Sequence, residues 1–346
     1  MLTDGADESL VASFTPLSAA KIREIADEQF GVEPVRLTRL ATERDDTYVI
    51  DEPSGSRVLL KVANPVDLMD EIDLSVRVLV HVQDQDPTLP VPRVLPTRAG
   101  ELLTTVIGMD GEPRIARLLT WLPGEIPTLD VLTEAQAASR GRLLGRLNRA
   151  LSGFDHPGAR RYLAWDLKQV GTLRAHLPHI TDPHTRALVA EHLDRFDQIT
   201  GPQLMAARQQ VIHNDLNSDN LLISGDDPDQ VVGILDFGDV VHSATVADVG
   251  LAMSYVIDVS RPERDPWINP YALARAFNLQ RELTDAEWEL LPDLVRARLS
   301  QRLLLGSWLS AMNPQNADYT SRTLASATIA LNLVNNIAPH EGLRHG

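Results

Sequence analysis

In the β-rich runs of the first third of the chain apolar and polar residues alternate, and beyond LPGEIP at 122–127 helical patterns dominate. Ser18 stands before the run AAKIREIADEQF and Gly31 just after it, a capping hydroxyl and a stop signal that predict a short helix. Three β-rich runs follow, VRLTRLA, DTYVIDE and SRVLLKVAN; with PSGS as the second turn they predict an antiparallel meander. Leu68, Ile72, Val76 and Leu79 then fall at helical spacing, so residues 66–82 are expected as a helix with one buried stripe. The segment DPTLPVPRVLP is too proline-rich for an interior element, whereas TTVIGMDGEPRIARLLTW predicts a hairpin turning at Asp110-Gly111 and ending at Trp121. Helices are expected around 134–151, 181–195 and 246–259, with two long ones from about 284 to the end. The result is an α+β chain in two lobes: a β-rich lobe over 1–121 and a mainly helical lobe over 122–346, divided at residues 122–126.

Composition supports two lobes and narrows the partners. A length of 346 residues with 43% hydrophobic content suffices for one large core or two modest ones. No apolar run reaches the roughly 18–20 residues of a membrane span, and MLTDGADESL lacks the basic and apolar regions of a signal peptide, so a cytoplasmic protein is expected. The absence of cysteine excludes disulfides, thiolate metal sites and a cysteine nucleophile. A formal charge of −16 works against binding nucleic acid or anionic lipid and suits a cationic or zwitterionic partner, although carboxylates also serve solubility alone. Of 32 basic residues only Lys21, Lys61 and Lys168 are lysines, so Lys61, on an apolar strand, marks a place where a compact charge is wanted.

One polar island interrupts the helical part: VIHNDLNSDNLLI, a charged turn, then VVGILDFGDVVHS. Carboxylates at the ends of apolar strands call for a cation or a reacting group. Phosphoryl transfer from a nucleotide needs a carboxylate for the attacking hydroxyl and oxygen ligands that hold Mg²⁺ against the phosphates. Asp215 with Asn220 five positions on has the spacing of base and metal ligand in kinase catalytic loops, and Asp236-Phe237-Gly238 has the form of the second metal motif. Ordinary Asx turns would explain each acid singly but not the joint pattern. An EF-hand start at Asp215, Asn217 and Asp219 fails, because its sixth and twelfth places hold Asn220 and Asp226 instead of Gly and Glu. Upstream, Lys61 on the third strand and Glu71 on the next helix match the phosphate-positioning pair of a kinase; Asp67, Asp70 and Asp73 are near alternatives to Glu71.

HNDLNSDN followed by LDFGD resembles the motifs of the aminoglycoside phosphotransferase and choline kinase superfamily. TERDDTY, AWDLKQV, ILDFGDVVHS and LAMSY resemble its hydroxylysine kinase-like branch, over residues 37–305. The resemblance implies a two-lobed protein-kinase-like fold with Asp215 as catalytic base, Asn220 and Asp236 as Mg²⁺ ligands, and Lys61 with Glu71 positioning phosphate. It makes Asp248 a brace beneath the catalytic loop and His213 structural. No glycine-rich loop covers the phosphates; the first turn is Glu43-Arg44-Asp45-Asp46-Thr47, where backbone N–H groups, Arg44 or Thr47 are candidate phosphate contacts. The run Asp45-Asp46-Thr47-Tyr48 departs from the branch pattern, which has an Asn and an aromatic after the first Asp, and that puts any side-chain role there in doubt. Thr120, Trp121 and Leu122 are expected to meet the base of ATP or GTP through their backbone. For the acceptor, Trp165, Asp166, Asp239 and His242 are candidates, an aromatic and a carboxylate suiting an ammonium group.

The expected activity is transfer of the γ-phosphate to a hydroxylated amino acid or amino alcohol of the 5-hydroxylysine type. An aminoglycoside kinase is the alternative, and an inactive nucleotide-binding scaffold the alternative from another class. The partners expected are a nucleotide and a small acceptor, without nucleic acid or membrane; oligomeric state is not legible.

Overall fold

The computed structural model describes residues 15–40, 42, 45–127, 132–312 and 317–345. Helix α1 (Ala19–Phe30) begins where Ser18 Oγ accepts the Lys21 N–H at 3.2 Å and ends at Gly31, whose φ of 71° places it in the left-handed region. Strands β1 (Arg36–Leu40), β2 (Asp46–Asp51) and β3 (Arg57–Val62) form the meander, and β6 (Pro113–Thr120) continues it, giving the order β1-β2-β3-β6-β4 with β4 at Val94–Leu95. Strand β5 (Thr104–Ile107) is the other arm of the predicted hairpin and pairs with β6; every pairing is antiparallel. Ile22, Ile25 and Phe30 of α1 pack on Ile50, Leu60 and Leu118 of the sheet, closing a small core.

Helix α2 (Met69–Gln85) follows β3 in the chain and turns Leu74, Val78, Leu79 and Val82 into a second, larger core shared with the C-terminal helices. The expected stripe holds for Ile72, Val76 and Leu79, which are buried. Leu68 does not join it: it precedes the first helical turn and is 65% exposed.

After the sheet, Glu125 bridges to Ile223, with N–H···O distances of 3.0 and 2.8 Å. Helices α3 (Glu134–Ala150), α4 (Pro183–Arg195), α5 (Gly201–Ala206), α6 (Thr245–Ser254), α7 (Ile268–Asn278), α8 (Asp285–Met312), α9 (Ala317–Asn336) and α10 (Gly342–His345) follow. Helix α6 is shorter than the 246–259 predicted, and α5, α7 and a 3₁₀ segment at Leu167–His179 were not anticipated. Helix α3 reads as polar, yet it packs tightly on α7: a Cβ at Gly141 would lie 2.1 Å from the Leu273 carbonyl oxygen. Glycine is what allows the two backbones to approach so closely. The polar island forms two hairpins, β7 (Gln209–Ile212) with β10 (Val241–Ala244), and β8 (Leu221–Ile223) with β9 (Val231–Ile234). Among the described residues no helix is long and apolar enough to cross a membrane.

Candidate active site

Strand β7 delivers His213, Asn214 and Asp215 to the bottom of a cleft between the sheet and the helices. The turn is held from below by one carboxylate on α6: Asp248 Oδ2 accepts the His213 N–H at 3.1 Å and Oδ1 accepts the Asn214 N–H at 2.8 Å. Asn148 of α3 donates to the same carboxylate at 2.8 Å. Asn214 has φ of 64°, a conformation that asparagine tolerates better than most residues. The His213 ring is fully engaged. Its Nδ1 accepts the Asp215 N–H at 3.2 Å, so Nε2 carries the proton and donates to the Leu235 carbonyl at 3.0 Å, with Phe237 edge-on 4.9 Å away.

Asp215 is fixed at both carboxylate oxygens. Asn217 donates to Oδ1 at 3.0 Å, and Asn220 donates to Oδ2 at 2.6 Å and to the Asp215 carbonyl at 2.9 Å. Burial pushes the Asp215 carboxyl well above the usual range, and the nearby charges of Asp239 and Asp236 push the same way against Arg298. Asp236 also has a left-handed backbone, φ 50°, which lets Oδ1 accept the Gly238 N–H at 2.9 Å. The Lys61 ammonium holds the Asp236 carboxyl below its usual range against burial.

Lys61 sits in the middle of the sheet, in register with Thr47 on β2 and Arg117 on β6. The expected ion pair with Glu71 is replaced by another. Lys61 Nζ lies 2.8 Å from Asp45 Oδ2, which Arg117 also meets at 2.8 Å. Glu71 instead receives Arg161 at 2.9 Å, and Arg161 reaches the carbonyls of Gly238 and Val240. The cause is position: Asp45 directly precedes β2, beside Lys61 in the sheet, whereas Arg161 approaches the start of α2 from the helical side. Burial alone would lower the Lys61 pKa, but Asp236 and Asp45 together raise it, so the ammonium stays charged. Asp45 is the converse: burial raises its pKa, and Arg117 and Lys61 more than reverse that and hold it far below the carboxylate range. Asp46 serves the scaffold, accepting the Leu17 N–H at 2.6 Å and Arg39 at 2.8 Å.

The cleft is a cavity of about 700 Å³ reached by Lys61, Asp215, Asn220, Asp236 and Asp239, with Asp67, Glu71 and Asp219 adding further negative charge. A second cavity of about 500 Å³ adjoins it, sharing Lys61, Asn220 and Asp236 and walled by Leu59, Leu79, Leu119 and Leu235. Thr47, Thr120, Trp121 and Leu122 all line that slot. The Thr120 and Trp121 N–H groups are already used, donating to the carbonyls of Arg93 and Arg57 at 2.9 and 3.4 Å, so Leu122 N–H is the donor left to offer. Arg44 lies outside the described residues.

The donor set suits a hard cation. Asn220 spends its amide nitrogen on Asp215, leaving Oδ1 without a hydrogen bond among the described residues, and Asp236 opens to the cleft beside it. Among the described residues no three acidic or imidazole side chains converge on one point. That is compatible with Mg²⁺, which keeps several waters and takes one or two protein ligands plus phosphate oxygens.

Of the four acceptor candidates only Asp239 lines the cleft. Asp166 is turned away: it is 1% exposed, caps the 3₁₀ segment through the Lys168 N–H at 3.1 Å, accepts Ser243 at 2.7 Å and pairs with the Lys168 ammonium at 3.3 Å. Trp165 packs its ring 4.9 Å from the Arg298 guanidinium. His242 lies on β10, its carbonyl accepting from Lys168, and burial lowers its pKa. These three read as recognition residues in sequence because a motif shows residue type and not direction. Conversely Asp45, Arg161 and Arg298 went unrecognised. Asp45 stood in the noted turn, but nothing in the sequence marked the two arginines among so many.

A two-lobed scaffold with these groups around one cleft defines a class, the kinases of small molecules. Comparison with known proteins agrees: the chain belongs to the phosphotransferase enzyme family, matching it over residues 36–283. Within that family it resembles the hydroxylysine kinases. It is 26% identical over 340 residues to the hydroxylysine kinase of Mus musculus, covering 92% of this chain and 89% of that one. Among solved structures it is similar to an amicoumacin kinase bound to AMP-PNP and Ca²⁺, with a TM-score of 0.69, 16% identity and coverage of 92% and 94%. A microcompartment-associated aminopropanol kinase gives 0.64, 22%, and 92% and 97%. At those identities the structural likeness speaks for the fold alone.

Proposed function

We propose that this chain transfers the γ-phosphate of ATP or GTP, with Mg²⁺, to the side-chain hydroxyl of a hydroxylated amino acid or similar amino alcohol of the 5-hydroxylysine type. The observation that carries the reading is Asp215 at the floor of one cleft with Asn220 and Asp236, next to an apolar slot of nucleobase character. In this reading the base lies between Leu59, Leu119 and Leu235 with its edge on the Leu122 N–H. Lys61, kept charged and aimed by Asp45, meets the phosphates. Asp215 orients the acceptor hydroxyl and takes its proton while the new oxygen–phosphorus bond forms and the bond to the β–γ bridging oxygen breaks. Asn220 and Asp236 would hold the Mg²⁺, which when bound would neutralise charge on the phosphate oxygens.

The lobes divide at residues 122–126, between the last strand of the sheet and α3, so that nucleotide and acceptor meet between them. Asp67, Asp219 and Asp239, beside a Glu71 that Arg161 already meets, give the acceptor side an excess of carboxylates suited to an ammonium group. The hydroxylysine kinase relatives support an amino-acid acceptor, and the same acidic wall suits an aminoglycoside. Coupled phosphotransfer with Mg-ATP and Mg-GTP across 5-hydroxylysine, homoserine, threonine, choline, ethanolamine and aminoglycosides decides between them. Turnover confined to amino acids or amino alcohols supports the reading; turnover of aminoglycosides alone replaces it, and none on any acceptor refutes it.

A further inference from the structure

Next to Asp215, and outside the residues that line the cleft, lies a cation that the phosphoryl-transfer chemistry above does not use. Arg298 projects from the middle of α8 and is 1% exposed. Its guanidinium carbon lies 4.9 Å from the Trp165 ring and 5.7 Å from the Tyr255 ring. Nη1 donates to the Trp165 carbonyl at 2.9 Å and to Gln301 Oε1 at 2.8 Å, and Nη2 reaches the Tyr255 hydroxyl at 3.3 Å. The remaining approach of Nη2 is to Asp215 Oδ1, 3.6 Å away, and Asp215 is the carboxylate paired with this guanidinium among the described residues. Among the described residues the buried Nε–H has no hydrogen-bond partner.

A buried guanidinium is expensive unless a carboxylate answers it, and breaking such a pair leaves an uncompensated charge. The aromatic rings and carbonyl hold the planar fork in one orientation, which a lysine could not satisfy. The Trp165 carbonyl also meets Asn214 Nδ2 at 3.5 Å, so the same peptide group touches the catalytic loop and Arg298. Gln301, one turn on, donates to the carbonyls of Ala164 and Asp166 at 2.8 and 3.1 Å and by itself ties this segment to α8. Arg298 is therefore not the segment's sole attachment to α8.

We propose that Arg298 is a positioning residue for phosphoryl transfer: clamped by Trp165 and Tyr255, it holds the Asp215 carboxylate electrostatically, alongside the Asn217 and Asn220 hydrogen bonds, in the orientation that meets the acceptor hydroxyl. Trp165 then acts by aiming a protein cation rather than by binding the acceptor. The role rests on the kinase reading above, while the ion pair itself does not.

Two measurements on the full chain test it. In thermal melts of wild type, Arg298→Met, Asp215→Asn and the double variant, the shifts of the two single variants should sum to clearly more than that of the double variant, because each single variant strands a buried partner. Additive shifts overturn the pair whether or not any acceptor is turned over. In steady-state assays Arg298→Ala should lower kcat by roughly tenfold to a hundredfold with the KM for Mg-ATP little changed, since displacing a reacting group by about an ångström costs on the order of 10²-fold. Added guanidinium should restore part of that loss in Arg298→Ala and none in the double variant with Asp215→Asn. Unchanged kcat, or a loss in Arg298→Ala that guanidinium does not relieve, overturns the positioning role. Coupled melts with no turnover by wild type on any acceptor would overturn the kinase reading and this role with it, leaving only a structural pair.

Discussion

Lys61 Nζ and Asp45 Oδ2 lie 2.8 Å apart at the inner face of the sheet, where the pattern of charges led one to expect Glu71. The same carboxylate neutralises Arg117, while Lys61 is also faced by Asp236, so Asp45 serves two cations and is the ion-pair partner of both. Asp45→Asn should therefore lower stability by about 3 kcal/mol, the low end for a broken buried pair. Mg-ATP should raise the melting temperature of this variant by more than it raises that of wild type, because phosphates would answer the positive charge that Asp45 no longer balances. Equal ligand-induced shifts would separate Lys61 from phosphate binding.

Asp215 and Asp236 are both cleft carboxylates, yet their replacement should fail differently. Asp215→Ala should cut kcat by about 10²–10⁴-fold, the range for a lost general base, with Mg-ATP affinity close to wild type. Asp236→Ala should weaken Mg-ATP binding itself. Calorimetry on both variants checks the division, and a Mg-ATP affinity unchanged in Asp236→Ala would remove that residue from the metal site.

Asp248 accepts three hydrogen bonds while buried, from His213, Asn214 and Asn148. Asp248→Ala strands all three donors, each worth about 1–3 kcal/mol when buried and unpaired, so a loss of several kcal/mol or outright failure to fold is expected. Asp248→Asn retains one acceptor oxygen and should lie between. Chemical denaturation gives the ranking, and equal stability of Asp248→Asn and Asp248→Ala would mean that the loop finds other partners.

His192, on α4, has Nε2 buried with no hydrogen-bond partner among the described residues, and burial, helped by Arg296 and opposed by Glu191 and Asp293, lowers its pKa from 6.5 to about 4. Between those values the unfolded chain binds more protons than the folded one, so stability rises with pH through this window and falls as pH drops from 6.5 towards 4. Discounted for partial exposure, the effect is roughly 1–2 kcal/mol. His192→Gln should lose less stability than wild type between pH 7 and 4 in urea titrations. Parallel curves would show that His192 is not the group responsible.

Local patterns determined much of this protein without any coordinates. The capped helix after Ser18, the meander through Lys61, the hairpin at Asp110-Gly111 and the long helices from 285 all follow from period, capping and turn chemistry, which act over a few residues. The joint presence of Asp215, Asn220 and Asp236 was legible for the same reason, since the spacing within each motif is fixed by a short loop. Helix α7 was not, because Pro270 sits in its first turn and Tyr271, Leu273, Ala274 and Phe277 are buried on several sides, so no single stripe marks it. Which charge meets which was decided only by tertiary structure. Asp45 and Lys61 are 16 positions apart, Glu71 and Arg161 are 90, and Asp215 and Arg298 are 83. Partners so distant are brought together by the packing of strands and helices, and the orientation of Trp165 and Asp166 away from the cleft is a property of that packing alone.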